Sequence, residues 1–210
     1  MTITSDERSA MSDLFKRLGP DVPTMCDGWT SRDLLAHLLL RERRPDAAGG
    51  IAIPALAKRT EKVQAQIAKK PYVDMIEQFR GGPPLWSPWA LPVLGDRGNM
   101  AEFFVHHEDL RRAQPDWEPR DDNPERDDAL WKLLKLMGKV LYRKSPVGVV
   151  LRSANRPDIV AKKGEPAVTI VGLPGEVVLH GFARPDDLIR VVVQGEPDDI
   201  AALAAAPRGI

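Results

Sequence analysis

The 210-residue chain holds a single cysteine, Cys26, so no disulfide can form within it. It has no excess of either charge, since 30 Lys and Arg balance 30 Asp and Glu. That excludes binding through bulk charge, and no nucleic-acid partner is expected. No apolar run approaches the ~18 residues of a membrane-spanning helix, so no membrane partner is expected either. Residues Met1–Arg8 are polar and carry acids, unlike a signal peptide. Together these absences predict a soluble, cytoplasmic protein. Familiar catalytic signatures are missing as well: there is no P-loop, no Gly-x-Gly-x-x-Gly, no Gly-x-Ser-x-Gly and no His-Glu-x-x-His. Histidine is scarce, limited to His37, His106, His107 and His180.

The composition, 43% hydrophobic and 29% charged, is that of a globular rather than a disordered chain. Its two parts differ in character. Residues 1–144 read as helices separated by Pro- and Gly-rich connections, and residues 145–210 as a small α+β domain rich in Val and Ile. A first helix is expected from Ser5 to Leu18, stopped by Gly19-Pro20, with Met11, Leu14, Phe15 and Leu18 on one face. The second has the clearest ends. Thr30 is its N-cap and Asp33 completes a capping box, while Trp29 and Leu34 are spaced for a hydrophobic staple. Arg41, Arg43 and Arg44 suit its C-terminus, and Pro45 follows. Further helices are expected over 54–68, 72–80, from 96 or 99 to 113, and 127–142. Residues 81–95 read as an ordered loop whose Trp86 and Trp89 either line a pocket mouth or, the favoured reading, pack into the core. In the second part, strands are expected at Val147–Leu151, Ala167–Val171 and Leu188–Val193, with a closing helix at Pro197–Ala205. Periodicity leaves 175–182 open between helix and strand.

Glu102 and His106 are four residues apart, about 40° around a helix axis, on a face shared with Phe103 and Leu110. His37 lies among Leu34 and Leu38 of the second helix. One carboxylate and two imidazoles thus point inward, which is costly unless they are satisfied together. A divalent metal does that. Two His and one Glu is a catalytic zinc set, and it also suits iron or nickel. The plainer alternative is three separately satisfied helix residues. Asp33 and Asp109, each near one histidine, are candidates to orient His37 and His106, with capping as the competing role of Asp33. His107, about 100° from His106, reads as a partly exposed residue. Glu108 and Arg112 read as an exposed ion pair, and His180 as structural. Arg41 reads either as a helix-terminal cation or as a group that reaches a substrate carboxylate. Cys26 reads as a small buried hydrophobe rather than a reactive thiol.

The run Cys26-Asp27-Gly28-Trp29-Thr30-Ser31-Arg32-Asp33-Leu34-Leu35-Ala36-His37-Leu38 resembles the signature that opens the second helix in the DinB-like, mycothiol-dependent maleylpyruvate isomerase superfamily. Asn99-Met100-Ala101-Glu102-Phe103-Phe104-Val105-His106-His107-Glu108-Asp109 resembles its second metal motif, in matching order and separation. The resemblance covers the helical part. It implies a four-helix bundle with a divalent metal, usually zinc, held by His37, Glu102 and His106. The C-terminal part is similar to the small, sterol-carrier-like α+β domain that follows the bundle in some members. Arginines of that domain help the isomerase site, which implies Arg184 and Arg190 as substrate-binding candidates. His106-His107-Glu108-Asp109 stands where the isomerase has a single histidine, pointing to a separate actinobacterial metal-binding branch.

The expected function is therefore a metal-dependent transferase or isomerase. Its cosubstrate would be a mycothiol-like thiol, activated as thiolate on zinc, nickel or iron, and its other substrate an electrophilic small molecule. His107 or Arg41 would handle protons or substrate charge. Two alternatives stay open on the same fold: a non-catalytic metal-binding or ligand-sensing module, and a zinc–water hydrolase. Bundles of this class often dimerise through helices, so a homodimer is among the expectations.

Overall fold

The computed structural model describes residues 2–209, those of 92–97 by backbone alone. The fold is mostly α-helical with one small mixed sheet. No helix among the described residues is long and apolar enough to cross a membrane. The chain divides into two compact units, Met1–Arg120 and Asp121–Ile210.

The first unit contains α1 (Ile3–Leu18), α2 (Ser31–Arg43), the single turn α3 (Pro45–Ala48), α4 (Ala57–Ala68), α5 (Tyr72–Arg80) and α6 (Pro92–Arg112). Thr2 caps α1 with a reciprocal Ser5 contact, and α1 ends at Gly19, whose φ of +83° favours glycine. The expected capping box of α2 is present: Asp33 Oδ2 accepts from Thr30 N at 2.9 Å, and Asp33 N donates to Thr30 Oγ1 at 3.4 Å. This helix packs against α4 and α5, while α1 packs against α5 and α6. The core joins Met11 and Phe15 to Leu34, Leu38, Phe79 and Phe103, all fully buried. Phe79 meets Phe15 and Phe103 edge-on at 6.1 and 5.5 Å. Each such side chain contributes about 1.5–3 kcal/mol by leaving water. The polar groups at this core are paired: Arg8 Nη1 donates to the fully buried Glu42 at 2.9 Å and to the Phe79 carbonyl at 2.7 Å.

The second unit runs α7 (Pro124–Leu141), β1 (Gly148–Arg152), β2 (Ile159–Lys162), β3 (Ala167–Gly172), α8 (Pro174–Gly181), β4 (Val191–Gln194) and α9 (Pro197–Ala205). The sheet order is β2-β1-β3-β4. The central β1 and β3 are parallel, with Val149 opposite Val168 and Leu151 opposite Ile170, and both edges are antiparallel. Those four side chains are fully buried and form the covered face. The sequence reading ends its helical domain at 144, but α7 packs on β2 and α8, so this helix belongs with the sheet. Strand β2 was not expected. Segment 175–182 resolves as the helix α8. The last strand starts at Val191 rather than Leu188, because Asp186–Leu188 form a tight 3-10 turn.

Candidate metal centre

Two helices and one loop of the first unit supply the site. Helix α2 carries His37 and Arg41 on successive turns, and α6 carries Glu102, His106 and Asp109. The loop before α2 brings Cys26 alongside. That loop is fixed by Met25 N donating to the Asp109 carbonyl at 2.9 Å and by Thr24 N donating to the Trp29 carbonyl at 3.1 Å. Glu102 Oε1 is the hub. It lies 2.9 Å from His37 Nε2, 3.2 Å from His106 Nε2 and 3.3 Å from Arg41 Nε. The donor atoms of His37, Glu102 and His106 all fall within 4.8 Å of one another. Glu102 is the most open of the three, its side chain 22% exposed against 9% for His37 and 12% for His106.

The surroundings hold these groups in place. Asp109 Oδ2 lies 2.9 Å from His106 Nδ1, on the ring edge away from Glu102. Trp29 packs 5.1 Å from the His37 ring, and the His37 and His106 rings meet edge-on at 5.2 Å. Arg41 donates through Nη1 to Asn99 Oδ1 at 3.2 Å and stacks 4.6 Å over Trp89. Burial pushes the His37 imidazole below its ordinary value, against the raising contact with Glu102. Burial alone would raise the Glu102 carboxyl. His106 beside it, with help from His37 and Arg41, holds it well below the usual carboxylate range. Burial alone would lower His106, but the Glu102 charge and the Asp109 hydrogen bond carry it well above.

The structure thus brings together His37, Glu102, His106 and Arg41 from the sequence reading, and places Asp109 where it orients His106. Other expectations are corrected. Asp33 is engaged in the cap with Thr30 rather than turned to His37. His107 is not partly exposed but 6% exposed, with Nδ1 2.7 Å from Glu7 Oε2, away from the metal candidates. Glu108 and Arg112 do form an ion pair at 2.6 Å, but it is buried. Both belong to a network in which Arg120 Nη2 donates to Glu7 at 3.0 Å, Arg120 Nε to Glu108 at 2.6 Å, and its guanidinium lies 5.4 Å from the Phe104 ring. Trp86 does not pack into the core and is 65% exposed, while Trp89 is half-buried over Arg41.

Cys26 is the residue whose place the sequence reading missed. It is not an inert hydrophobe: Sγ donates to Asp109 Oδ2 at 3.2 Å and lies 3.8 Å from His106 Nδ1. Its adjacency to the first motif was a signal, but its partners stand 80 and 83 residues later. Arg184 and Arg190 belong to the second unit, where the Arg184 guanidinium donates to the Phe182 carbonyl at 2.9 Å and Arg190 N to Glu176 at 2.7 Å. His180 is structural in that unit. Arg208 donates to its Nε2 at 2.8 Å, so its proton sits on Nδ1, which donates to Tyr142 Oη at 2.7 Å. No family profile, no curated protein and no solved structure matches this chain.

Proposed function

We propose that the chain is a metal-dependent transferase or isomerase that uses a low-molecular-weight thiol of the mycothiol type. We read its first unit as a DinB-like bundle working in the cytoplasm. The observation that supports this is the convergence of His37, Glu102 and His106 on one partly open point, their donor atoms within 4.8 Å of one another. Two imidazoles and a carboxylate form a donor set of catalytic zinc, with a fourth position left for an exchangeable ligand. The groups fit that use. Glu102 is ionised and His37 neutral, His106 would release its Nε2 proton as an ion enters, and Asp109 anchors His106 as carboxylates anchor metal-binding imidazoles. A zinc-class ion held there lowers the pKa of a coordinated thiol, so that thiolate forms near neutral pH.

The remaining work falls to this chain's own residues. Arg41, bonded to Glu102, sets a guanidinium beside the point where the thiol docks and holds an anionic group of the electrophile. Asn99 and Trp89 fix that guanidinium from its end and its face. Trp29 walls the site beside His37 and keeps water from that side. Cys26 faces the far edge of His106, so the reacting sulfur comes from a cosubstrate rather than from the chain.

Elemental analysis and metal-edge absorption, before and after adding a low-molecular-weight thiol, test the proposal. Wild type and Cys26→Ser are compared, so that sulfur seen in the variant comes only from the added thiol. The expected result is bound zinc or nickel and a new sulfur ligand on thiol addition. Metal without a thiol response moves the reading to a hydrolytic or structural site. No metal after reconstitution removes it.

A further inference from the structure

His106 faces two sets of donors. Its Nε2 edge meets Glu102 and His37, and its Nδ1 edge meets Cys26 and Asp109. The second set is as compact as the first: Cys26 Sγ, Asp109 Oδ2 and His106 Nδ1 also lie within 4.8 Å of one another. Ligands held at ~2.0–2.3 Å around one tetrahedral zinc-class ion stand roughly 3.3–3.7 Å apart. The pairwise separations here are 3.2, 2.9 and 3.8 Å, so small side-chain shifts reach that geometry. The donors are also held in place. Asp109 is fully buried, and its carbonyl accepts from Met25 N at 2.9 Å. Cys26 N donates to Thr24 Oγ1 at 3.2 Å, which fixes the turn that carries the thiol.

We propose that Cys26, Asp109 and His106 form a second metal position for a zinc-class divalent ion, joined to the first through the His106 ring. A sulfur, an imidazole nitrogen and a carboxylate oxygen suit a borderline-soft cation, whereas the His37 and Glu102 side is harder. With both positions filled, the thiol proton of Cys26 and both ring protons of His106 pass to solvent, and the ring bridges the two ions as an imidazolate through Nε2 and Nδ1. Sγ, Nδ1 and Oδ2 then each give a lone pair to the ion. A fourth ligand comes from solvent. The proposal rests on the placement of His106 used for the first position, not on thiol chemistry there.

The test titrates the metal-stripped full chain with cobalt(II), a spectroscopic stand-in for zinc. Wild type, Cys26→Ser, Cys26→Ala and His37→Ala are compared, with circular dichroism as the check on folding. Two equivalents are expected in wild type, with a sulfur-to-cobalt charge-transfer band. The band is expected to vanish in both Cys26 variants, each of which keeps one equivalent, and to persist in His37→Ala. One equivalent with no sulfur band in wild type overturns the second position and leaves the first standing. One equivalent with the band, indifferent to His37→Ala, supports the Cys26 position and overturns the first. No cobalt bound overturns both. The wild-type spectrum decides for or against Cys26 even if a variant does not fold.

Discussion

His106 in the first unit, largely buried, and His180 in the second, fully buried, are both helical imidazoles, and their neighbours drive them in opposite directions. Burial disfavours the charged form of each. Around His106 that penalty is outweighed by Glu102 and Asp109, and the ring is pushed well above its ordinary value. Around His180 burial is joined by the Arg208 guanidinium, and the ring is pushed down to about 3. The sign of the nearest charge, not depth, separates them. Carboxylates on both edges mark a ring set where positive charge is welcome, as beside a metal. An arginine on one edge and a tyrosine on the other mark a neutral strut that ties α8 to α7 and the C-terminal segment.

Replacing each histidine is the strongest way to break this contrast. His106→Ala is expected to lose stoichiometric metal and His180→Ala to keep it, read by elemental analysis after dialysis. Retention of metal by both His106→Ala and His37→Ala would sink the site assignment. Acidification sharpens the contrast next. The unfolded chain takes up a proton near 6.5 that folded His180 refuses until about 3. This contribution to stability is therefore full above 6.5 and falls as pH drops toward 3, by ~1.4 kcal/mol per unit and about 5 kcal/mol in all. Denaturant melts at several pH values should show this slope in wild type, flattened in His180→Gln; equal slopes would refute the neutral strut.

A smaller effect is expected at Glu7, which also touches a histidine. Burial alone would raise its carboxyl, but His107 and Arg120 hold it at about 2, against 4.5 for the free group. Its contribution is present above 4.5 and is lost as pH falls through 2. Glu7→Gln should cost about 3 kcal/mol at neutral pH, with the gap to wild type closing in acid and metal content unchanged. The smallest change is Asp109→Asn, which keeps the shape and removes the charge that anchors His106. In a Cys26→Ser background, which leaves only the His37, Glu102 and His106 position, metal affinity should weaken roughly 10- to 100-fold in a competition titration. Unaltered affinity would show that Asp109 only fills space.

What was legible in the sequence was local or periodic. Thr30 and Asp33 are three residues apart, and their capping box forms. Pro197–Ala205 is the expected closing helix. The inward turn of His37, Glu102 and His106 followed from the apolar residues flanking each on its own helix. What escaped depends on distant partners. His107 is buried because Glu7 on α1 reaches it, 100 residues away in the chain. Helix α7 has an apolar face that suits a helix bundle or a sheet equally, and only the topology assigns it to β2 and α8. Strand β2 is four residues long beside Pro157-Asp158, with Val160 half exposed, too short for alternation to stand out. Trp86 misled because large aromatics usually seek cover.

Arg120 lies eight residues beyond the end of α6, yet its guanidinium closes on Glu7 of α1 and Glu108 of α6. The boundary of the first unit is thus electrostatic rather than helical. A fragment cut at Arg112 would retain every helix of that unit and strand the Glu7 carboxylate beside His107 without its guanidinium. Its weakness would look like a lost helix and would in fact be a lost charge. Eight more residues, with no regular structure of their own, act as a latch that the helices need in order to stay shut.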